Sequence, residues 1–118
     1  TLSNLHTSLN DKILKEVLEK FTIKGALGRY FDSDEENISF SSWQVFEMAK
    51  IINNKSAITP LLSYLFHKIE GQLTGNPTIL VLDECWMFFD NEQFSNKIRE
   101  WLKVLRKKNT SVIFATQE

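Results

Sequence analysis

Two acidic residues stand directly after a short apolar run, and their position is the strongest sign of chemistry in the sequence. Residues 79–82 are four apolar β-strand formers, and Asp83 and Glu84 follow them without a break. A short apolar run that follows Asn76 and Pro77 and ends in acids is typical of a fully buried parallel strand. Ligands of open α/β sheets bind beyond the carboxyl ends of the strands. Both carboxylates are therefore predicted to lie at that edge.

Adjacent carboxylates at such an edge suit nucleotide hydrolysis. In the Walker B segment of a P-loop NTPase, one acid holds Mg²⁺, usually through water, and the next orients or deprotonates the attacking water. This interpretation makes Asp83 the metal ligand and Glu84 the catalytic base. The alternative is that both acids only cap the turn after a buried strand, and the hexapeptide alone leaves both interpretations open.

A second predicted strand, residues 111–115, ends in Thr116 and Gln117. If the two strands are adjacent and parallel, Gln117 approaches the space above Asp83 and Glu84. A neutral amide there can hydrogen-bond a γ-phosphate oxygen or the attacking water, and it changes partners when the phosphate leaves. The alternative is that Thr116 and Gln117 have only a structural role and cap the strand.

Hydrophobic periodicity predicts the elements that position these residues. Helices are predicted over about 9–21, with Asn10 or Asp11 as its cap, over 57–73 and over 92–107. Strands are predicted at 79–82 and 111–115, and residues 38–40 could form a short strand or a strand edge. Residues 44–48 could be a strand or the start of a helix to residue 53, and a strand followed by one helical turn is favoured. The alternating order of helix and strand argues for a mostly parallel α/β sheet.

Most charged and aromatic residues outside the two strand ends are interpreted as solvated surface or packing. The acids of the predicted loop 25–37 could form a metal site, but solvated surface is favoured because contiguous like charges repel; they are Asp32, Asp34, Glu35 and Glu36. The basic face of the third helix could bind nucleic acid phosphates, but a solvated outer face is favoured. Arg106, near the end of that helix, is a candidate for reaching a neighbouring subunit's nucleotide. The aromatic residues Trp86, Phe88 and Phe89 are assigned to packing or subunit contact.

The composition argues against several classes of protein. The 118 residues are 42% hydrophobic and 25% charged, and the net charge of -1 gives no global attraction to nucleic acid or anionic membrane. No apolar run is long enough for a transmembrane helix, and the start does not look like a signal peptide. Cys85 is the single cysteine, so an internal disulfide is excluded. Cys85, His6 and His67 are too few and too scattered to argue for zinc.

One required part of a P-loop NTPase is missing. No segment matches G-x-x-x-x-G-K-[ST], and the nearest, residues 25–29, lacks the lysine and hydroxyl that end the loop. Either the chain is an internal piece of a longer protein, or it is a degenerate domain that does not hydrolyse nucleotide. The end of the chain shortly after Gln117 favours an internal piece.

Four collinear stretches match a known family. They are GRYFD at 28–32, WQVFEM at 43–48, LSYLFHKIE at 62–70 and, most specific, PTILVLDECW at 77–86 continuing through KIREWLK at 97–103 and LRKKN at 105–109 to ATQ at 115–117. The sequence thereby resembles the ATPases of conjugation and type IV secretion, namely the fourth VirB component with its TrbE and CagE relatives. Cys85 stands where the family more often has alanine, a small change at a buried position.

The resemblance implies an α/β fold, a partial RecA-like P-loop NTPase core with a mostly parallel sheet flanked by helices. Residues 1–28 would belong to an appended helical region and residues 29–118 to the core, with the phosphate-binding loop upstream of Thr1. ATP and Mg²⁺ would be the cofactors. Asp83 would coordinate the metal, Glu84 would activate water, and Gln117 with Thr116 would contact the γ-phosphate.

The resemblance also implies a cellular role. Such motors work in the cytoplasm, peripherally at the bacterial inner membrane, and form oligomers, often hexamers. With other secretion-system components they power assembly of the channel and pilus, or transport of protein or DNA. The isolated chain is expected to be inactive, because half of the phosphate site is missing. The alternatives are a non-hydrolytic scaffold module and another RecA-like DNA translocase, of the FtsK or HerA kind.

Overall fold

The computed structural model describes residues 1–36, 38–48, 51, 54–89 and 92–116. Its contacts divide the chain into two compact units, Thr1–Leu61 and Leu62–Glu118. No helix in the described ranges is long and apolar enough to cross a membrane. The expected division into residues 1–28 and 29–118 concerns domains of a longer protein and stays a prediction. The elements are α1 (Leu2–Ser8), α2 (Lys12–Glu19), α3 (Gly28–Phe31), α4 (Lys55–Gln72), β1 (Thr78–Leu82), α5 (Trp86–Phe89), α6 (Glu92–Lys107) and β2 (Thr110–Phe114).

The helices of the first unit begin at side-chain caps. The Asp11 carboxylate accepts a hydrogen bond from the Leu14 backbone N–H at 2.9 Å, so the predicted cap of α2 is confirmed. The Thr1 hydroxyl accepts from the Asn4 N–H at 3.0 Å at the start of α1. Such bonds satisfy N–H groups that have no partner within the helix.

Asp32 ties three backbone segments of the first unit together. Its carboxylate accepts the N–H of Leu2 at 2.7 Å, of Ser3 at 3.2 Å and of Ile23 at 2.6 Å, together with the Ser3 hydroxyl. These bonds, with the Ser3 hydroxyl the largest contributor, lower the pKa of Asp32, while partial burial opposes them. The prediction that Asp32 is solvated surface is therefore wrong, although the other acids of that run, Asp34, Glu35 and Glu36, are exposed as predicted.

The two early strands are not formed. Residues 38–40 and 44–48 have no regular secondary structure, and residues 49, 50, 52 and 53 of the predicted helical turn lie outside the described part of the chain. Trp43 and Val45 are exposed, so the apolar residues of this segment do not define a buried strand face. A strand also needs a neighbour for its backbone hydrogen bonds, and in the described ranges the sheet consists of β1 and β2.

The second unit is built around α4 and α6, whose predicted positions are confirmed. α4 buries Leu62, Leu65 and Phe66. α6 also buries an apolar stripe. The ring of Trp101 in this stripe stacks on the ring of Phe66 in α4, with centroids 4.1 Å apart. Full burial of such a side chain stabilises the fold by roughly 1.5–3 kcal/mol. The stripe of α6 consists of Ile98, Trp101 and Leu105.

The two strands pair in parallel, with register running from Thr78 opposite Thr110 to Leu82 opposite Phe114. The predicted adjacency is confirmed, but the prediction of a fully buried strand is wrong. Leu82 is buried, whereas Ile79 is 69% and Val81 58% exposed. Successive side chains of a strand point to opposite faces, and the burial pattern of β1 leaves the face that carries Ile79 and Val81 exposed. The unit is thus a partial α/β arrangement.

Candidate functional site

The strand ends bring the predicted site residues to one edge. The backbone N–H of Ala115 donates to the Leu82 carbonyl at 2.9 Å, and the N–H of Cys85 donates to the Ala115 carbonyl at 3.0 Å. These bonds continue the ladder past the end of both strands. Asp83, Glu84 and Thr116 therefore share the carboxyl edge of the sheet, as predicted. Gln117 lies outside the described residues.

Glu84 has an unusual backbone. Its φ of 53° lies in the left-handed region, which is uncommon for residues other than glycine and costs on the order of 1–3 kcal/mol. Its N–H donates to Oδ1 of Asp83 at 2.9 Å. The exposed Asp83 carboxylate thus lies against the turn that carries Glu84. Strained backbone of this kind is concentrated at functional sites.

Trp86 contacts the second acid directly. Its indole Nε1–H donates to Oε2 of Glu84 at 2.8 Å. Sequence reasoning placed Trp86 in packing or subunit contact and missed this bond. The signal for it was that an indole N–H seeks an acceptor and that a carboxylate lies two positions earlier in the chain.

Arg106 lies away from this edge. It is exposed in the last turn of α6, and its carbonyl accepts from the N–H of Asn109, just before β2 begins. β2 starts opposite Thr78, so Arg106 is near the amino end of the sheet. At about 3.3 Å per residue, the two ends of the sheet are roughly 13 Å apart. A role for Arg106 toward a neighbouring subunit's nucleotide stays a prediction.

The acid pair has the right donors for Mg²⁺. This ion prefers oxygen ligands, keeps several waters, and is usually held by one or two carboxylates plus substrate phosphates. Asp83 supplies an exposed carboxylate at the sheet edge, and Glu84 supplies a second one next to it. In the described ranges no three His, Cys, Asp or Glu side chains gather at a possible metal site.

Part of the basic face of α6 is engaged within its own unit. Lys108 Nζ donates to the Glu70 carbonyl at 2.8 Å, and Lys97 Nζ donates to Ser63 Oγ at 3.4 Å. The bond from Lys97 attaches α6 to α4, and the bond from Lys108 attaches the residue directly after α6 to α4. The remaining cations are exposed, as expected for an outer face: Arg99, Lys103, Arg106 and Lys107.

Known proteins resemble the chain over most of its length, although no family model matches it. The conjugal transfer protein TrbE of Rhizobium radiobacter is 39% identical over 118 residues, which cover 99% of this chain and 14% of that protein. A probable conjugal transfer protein TrbE of Sinorhizobium fredii is 38% identical over 118 residues, covering 99% and 18%. The type IV secretion system protein virB4 of Bartonella quintana is 34% identical over 97 residues, covering 80% and 12%.

These relatives are proteins named for conjugal transfer and type IV secretion, and the chain is similar to a segment of each. More narrowly, it is a homologue of the TrbE and VirB4 proteins, and the resemblance seen in the sequence is confirmed. The chain spans only 14% of the length of the Rhizobium radiobacter relative. It therefore corresponds to one segment of such a protein.

Proposed function

We propose that the chain is the Walker B segment of an ATP-hydrolysing motor for conjugal transfer or type IV secretion, within a RecA-like core. The observation that carries the proposal is the placement of Asp83 and Glu84 at the carboxyl end of β1, beside the end of β2. Homology to TrbE and VirB4 supports the assignment to this kind of system.

Asp83 holds Mg²⁺ in this proposal, usually through water. When bound there, the ion would supply positive charge against the phosphates of ATP. Glu84 accepts a proton from the attacking water, as a general base within hydrogen-bond reach. Gln117, with Thr116 beside it, contacts the γ-phosphate and changes partners when that phosphate leaves.

The phosphate-binding loop must come from elsewhere in the parent protein, because this sequence has no G-x-x-x-x-G-K-[ST] segment. The chain alone is therefore inactive in this proposal. The parent works in the cytoplasm at the inner membrane, as an oligomer and most simply a hexamer. It energises channel or pilus assembly, or transport of a protein or DNA substrate, together with other components of the system.

A non-hydrolytic scaffold is the second candidate. A parent protein that lacks a G-x-x-x-x-G-K-[ST] segment throughout would keep the fold and lose turnover. The two candidates differ in whether the parent protein binds nucleotide.

Nucleotide binding by the full-length parent tests the proposal. We expect it to bind a fluorescent ATP analogue in a Mg²⁺-dependent manner, and we expect Asp83→Ala to weaken that binding by about tenfold, as for loss of an outer-sphere metal partner. Asp34→Ala, at an exposed acid of the first unit, is the matched control and should bind like the wild type. Equal binding by Asp83→Ala and wild type would exclude the metal role. No binding by the wild type would favour the scaffold.

A further inference from the structure

We infer that Trp86 is a positioning residue that orients the Glu84 carboxylate for proton transfer, an inference that rests on the function proposed above. The structural basis is the 2.8 Å hydrogen bond from the indole Nε1 to Oε2 of Glu84. Trp86 is 50% exposed. Packing therefore accounts for only part of the surface of its ring, and its indole nitrogen contacts the carboxylate of the proposed base, Glu84.

The backbone on both sides of Trp86 is anchored to the sheet. Cys85, immediately before it, is buried, and its N–H donates to the Ala115 carbonyl at 3.0 Å. Phe89, at the end of the same short helix, contacts the Phe114 ring of β2 with centroids 5.8 Å apart. The backbone that carries the indole is thus held against the end of the sheet.

Glu84 is restrained at its backbone as well. Its left-handed φ and the bond from its N–H to Asp83 Oδ1 fix where its side chain leaves the chain. The bond from Trp86 then selects one orientation of the carboxylate. An ionised carboxylate has two oxygens with several lone pairs, so occupation of Oε2 leaves Oε1 able to accept a proton from water.

The chemistry of the indole allows only an orienting role. Its N–H is a donor without an acceptor site, so Trp86 cannot take up the proton itself. In the proposed hydrolysis, a water proton passes to Glu84 while the water oxygen bonds to the γ-phosphorus. The bond from phosphorus to the bridging oxygen breaks, and its electrons leave with ADP. Bases that act in this way are commonly held by a third group, and Trp86 supplies that group.

Steady-state hydrolysis by the full-length parent is the first test. Trp86→Phe keeps the ring and removes the donor. We expect kcat to fall about tenfold, as for other groups that orient a ligand or base, while KM for ATP stays within about twofold because nucleotide contacts are unchanged. Trp43→Phe makes the same substitution at an 84% exposed position of the first unit, and it should leave both constants unchanged.

The hydrogen bond itself is tested in the 118-residue chain by magnetic resonance of the indole N–H protons. The Trp86 signal is identified by its loss in Trp86→Phe. We expect Glu84→Ala to shift this signal and speed its exchange with water, while the signals of Trp43 and Trp101 stay in place. An unchanged Trp86 signal in Glu84→Ala would overturn the inference.

The outcomes distinguish failure of the positioning role of Trp86 from failure of the proposed ATP hydrolysis. A wild-type parent that hydrolyses ATP, an inactive Glu84→Gln and a Trp86→Phe with normal kcat would keep the function and overturn the positioning role. A change in KM alone, or a rise in kcat, would also overturn that role. A wild-type parent without hydrolysis would overturn both.

Discussion

The backbone N–H of Ala115 donates to the carbonyl of Leu82 at 2.9 Å, and this bond makes β1 and β2 end at the same level. The strands are parallel, so the residues after each strand emerge at the same edge. Asp83 and Glu84 are thereby brought beside Thr116, from which they are separated by all of α5 and α6. The proposed site depends on this juxtaposition.

The core of the second unit should be sensitive to truncation at Ile98, which is fully buried. Ile98→Ala removes buried methyl groups and leaves a cavity against the neighbouring side chains, so we expect a loss of about 2–5 kcal/mol in the free energy of unfolding. Urea titration followed by the fluorescence of buried Trp101 measures it. Lys103→Ala, on the exposed side of the same helix, should change stability by less than about 0.5 kcal/mol. Equal effects of the two substitutions would contradict the packing described for α6.

Asp32 should make the first unit sensitive to acid. Its pKa is lowered in the folded chain below the ordinary value of 3.8, mainly by the Ser3 hydroxyl. The folded state therefore gains stability from this group above the unfolded pKa, and loses it as pH falls through the folded pKa. Asp32→Asn should melt at lower temperature than wild type at neutral pH, and the gap should narrow below pH 3.8. Thermal melts of helical circular dichroism measure this, with Asp34→Asn as control. A gap that is constant with pH would contradict the assignment.

The long elements of the second unit were predictable because each carries a strong local signal. α6 has apolar residues at helical spacing, confirmed by burial of Ile98, Trp101 and Leu105. β1 follows Pro77 and consists of strand formers, and its neighbour β2 was identified in the same way. The position of the two acids at the sheet edge follows from these elements and from parallel pairing.

Other features depend on contacts that no local pattern encodes. Asp32 accepts hydrogen bonds from the backbone N–H groups of Leu2 and Ser3, which are far away in sequence. The acidic residues next to Asp32 suggested solvated surface because they carry no sign of these bonds. The apolar residues of 44–48 gave this segment the composition of a strand, but in the described ranges no other strand pairs with it. β1 alternates between buried and exposed residues because only one face of the sheet is covered, whereas its composition suggested burial on both. The bond from Trp86 to Glu84 occurs beside a left-handed Glu84 backbone, a conformation that the residue type does not predict.

The open face of the sheet should make the 118-residue chain self-associate. Ile79 and Val81 of β1 and Ile113 of β2 are exposed there, and within the described part of the chain the outer edges of β1 and β2 pair with no further strand. Sedimentation at rising concentration should show assembly beyond the monomer. The double substitution Val81→Thr and Ile113→Thr, which keeps good strand formers, should weaken it, and Lys103→Thr should not. A wild-type chain that stays monomeric at high concentration would contradict the prediction.

ATP hydrolysis by the full-length parent, with wild type beside Glu84→Gln, tests whether this sheet edge is a hydrolytic site. The amide keeps the size of the side chain but cannot accept the proton of the attacking water, while Asp83 still supplies charge at Mg²⁺. We expect hydrolysis by the wild type, and in the variant a loss of turnover with ATP binding retained. Turnover by Glu84→Gln within about twofold of wild type would contradict the assignment of Glu84 as the base.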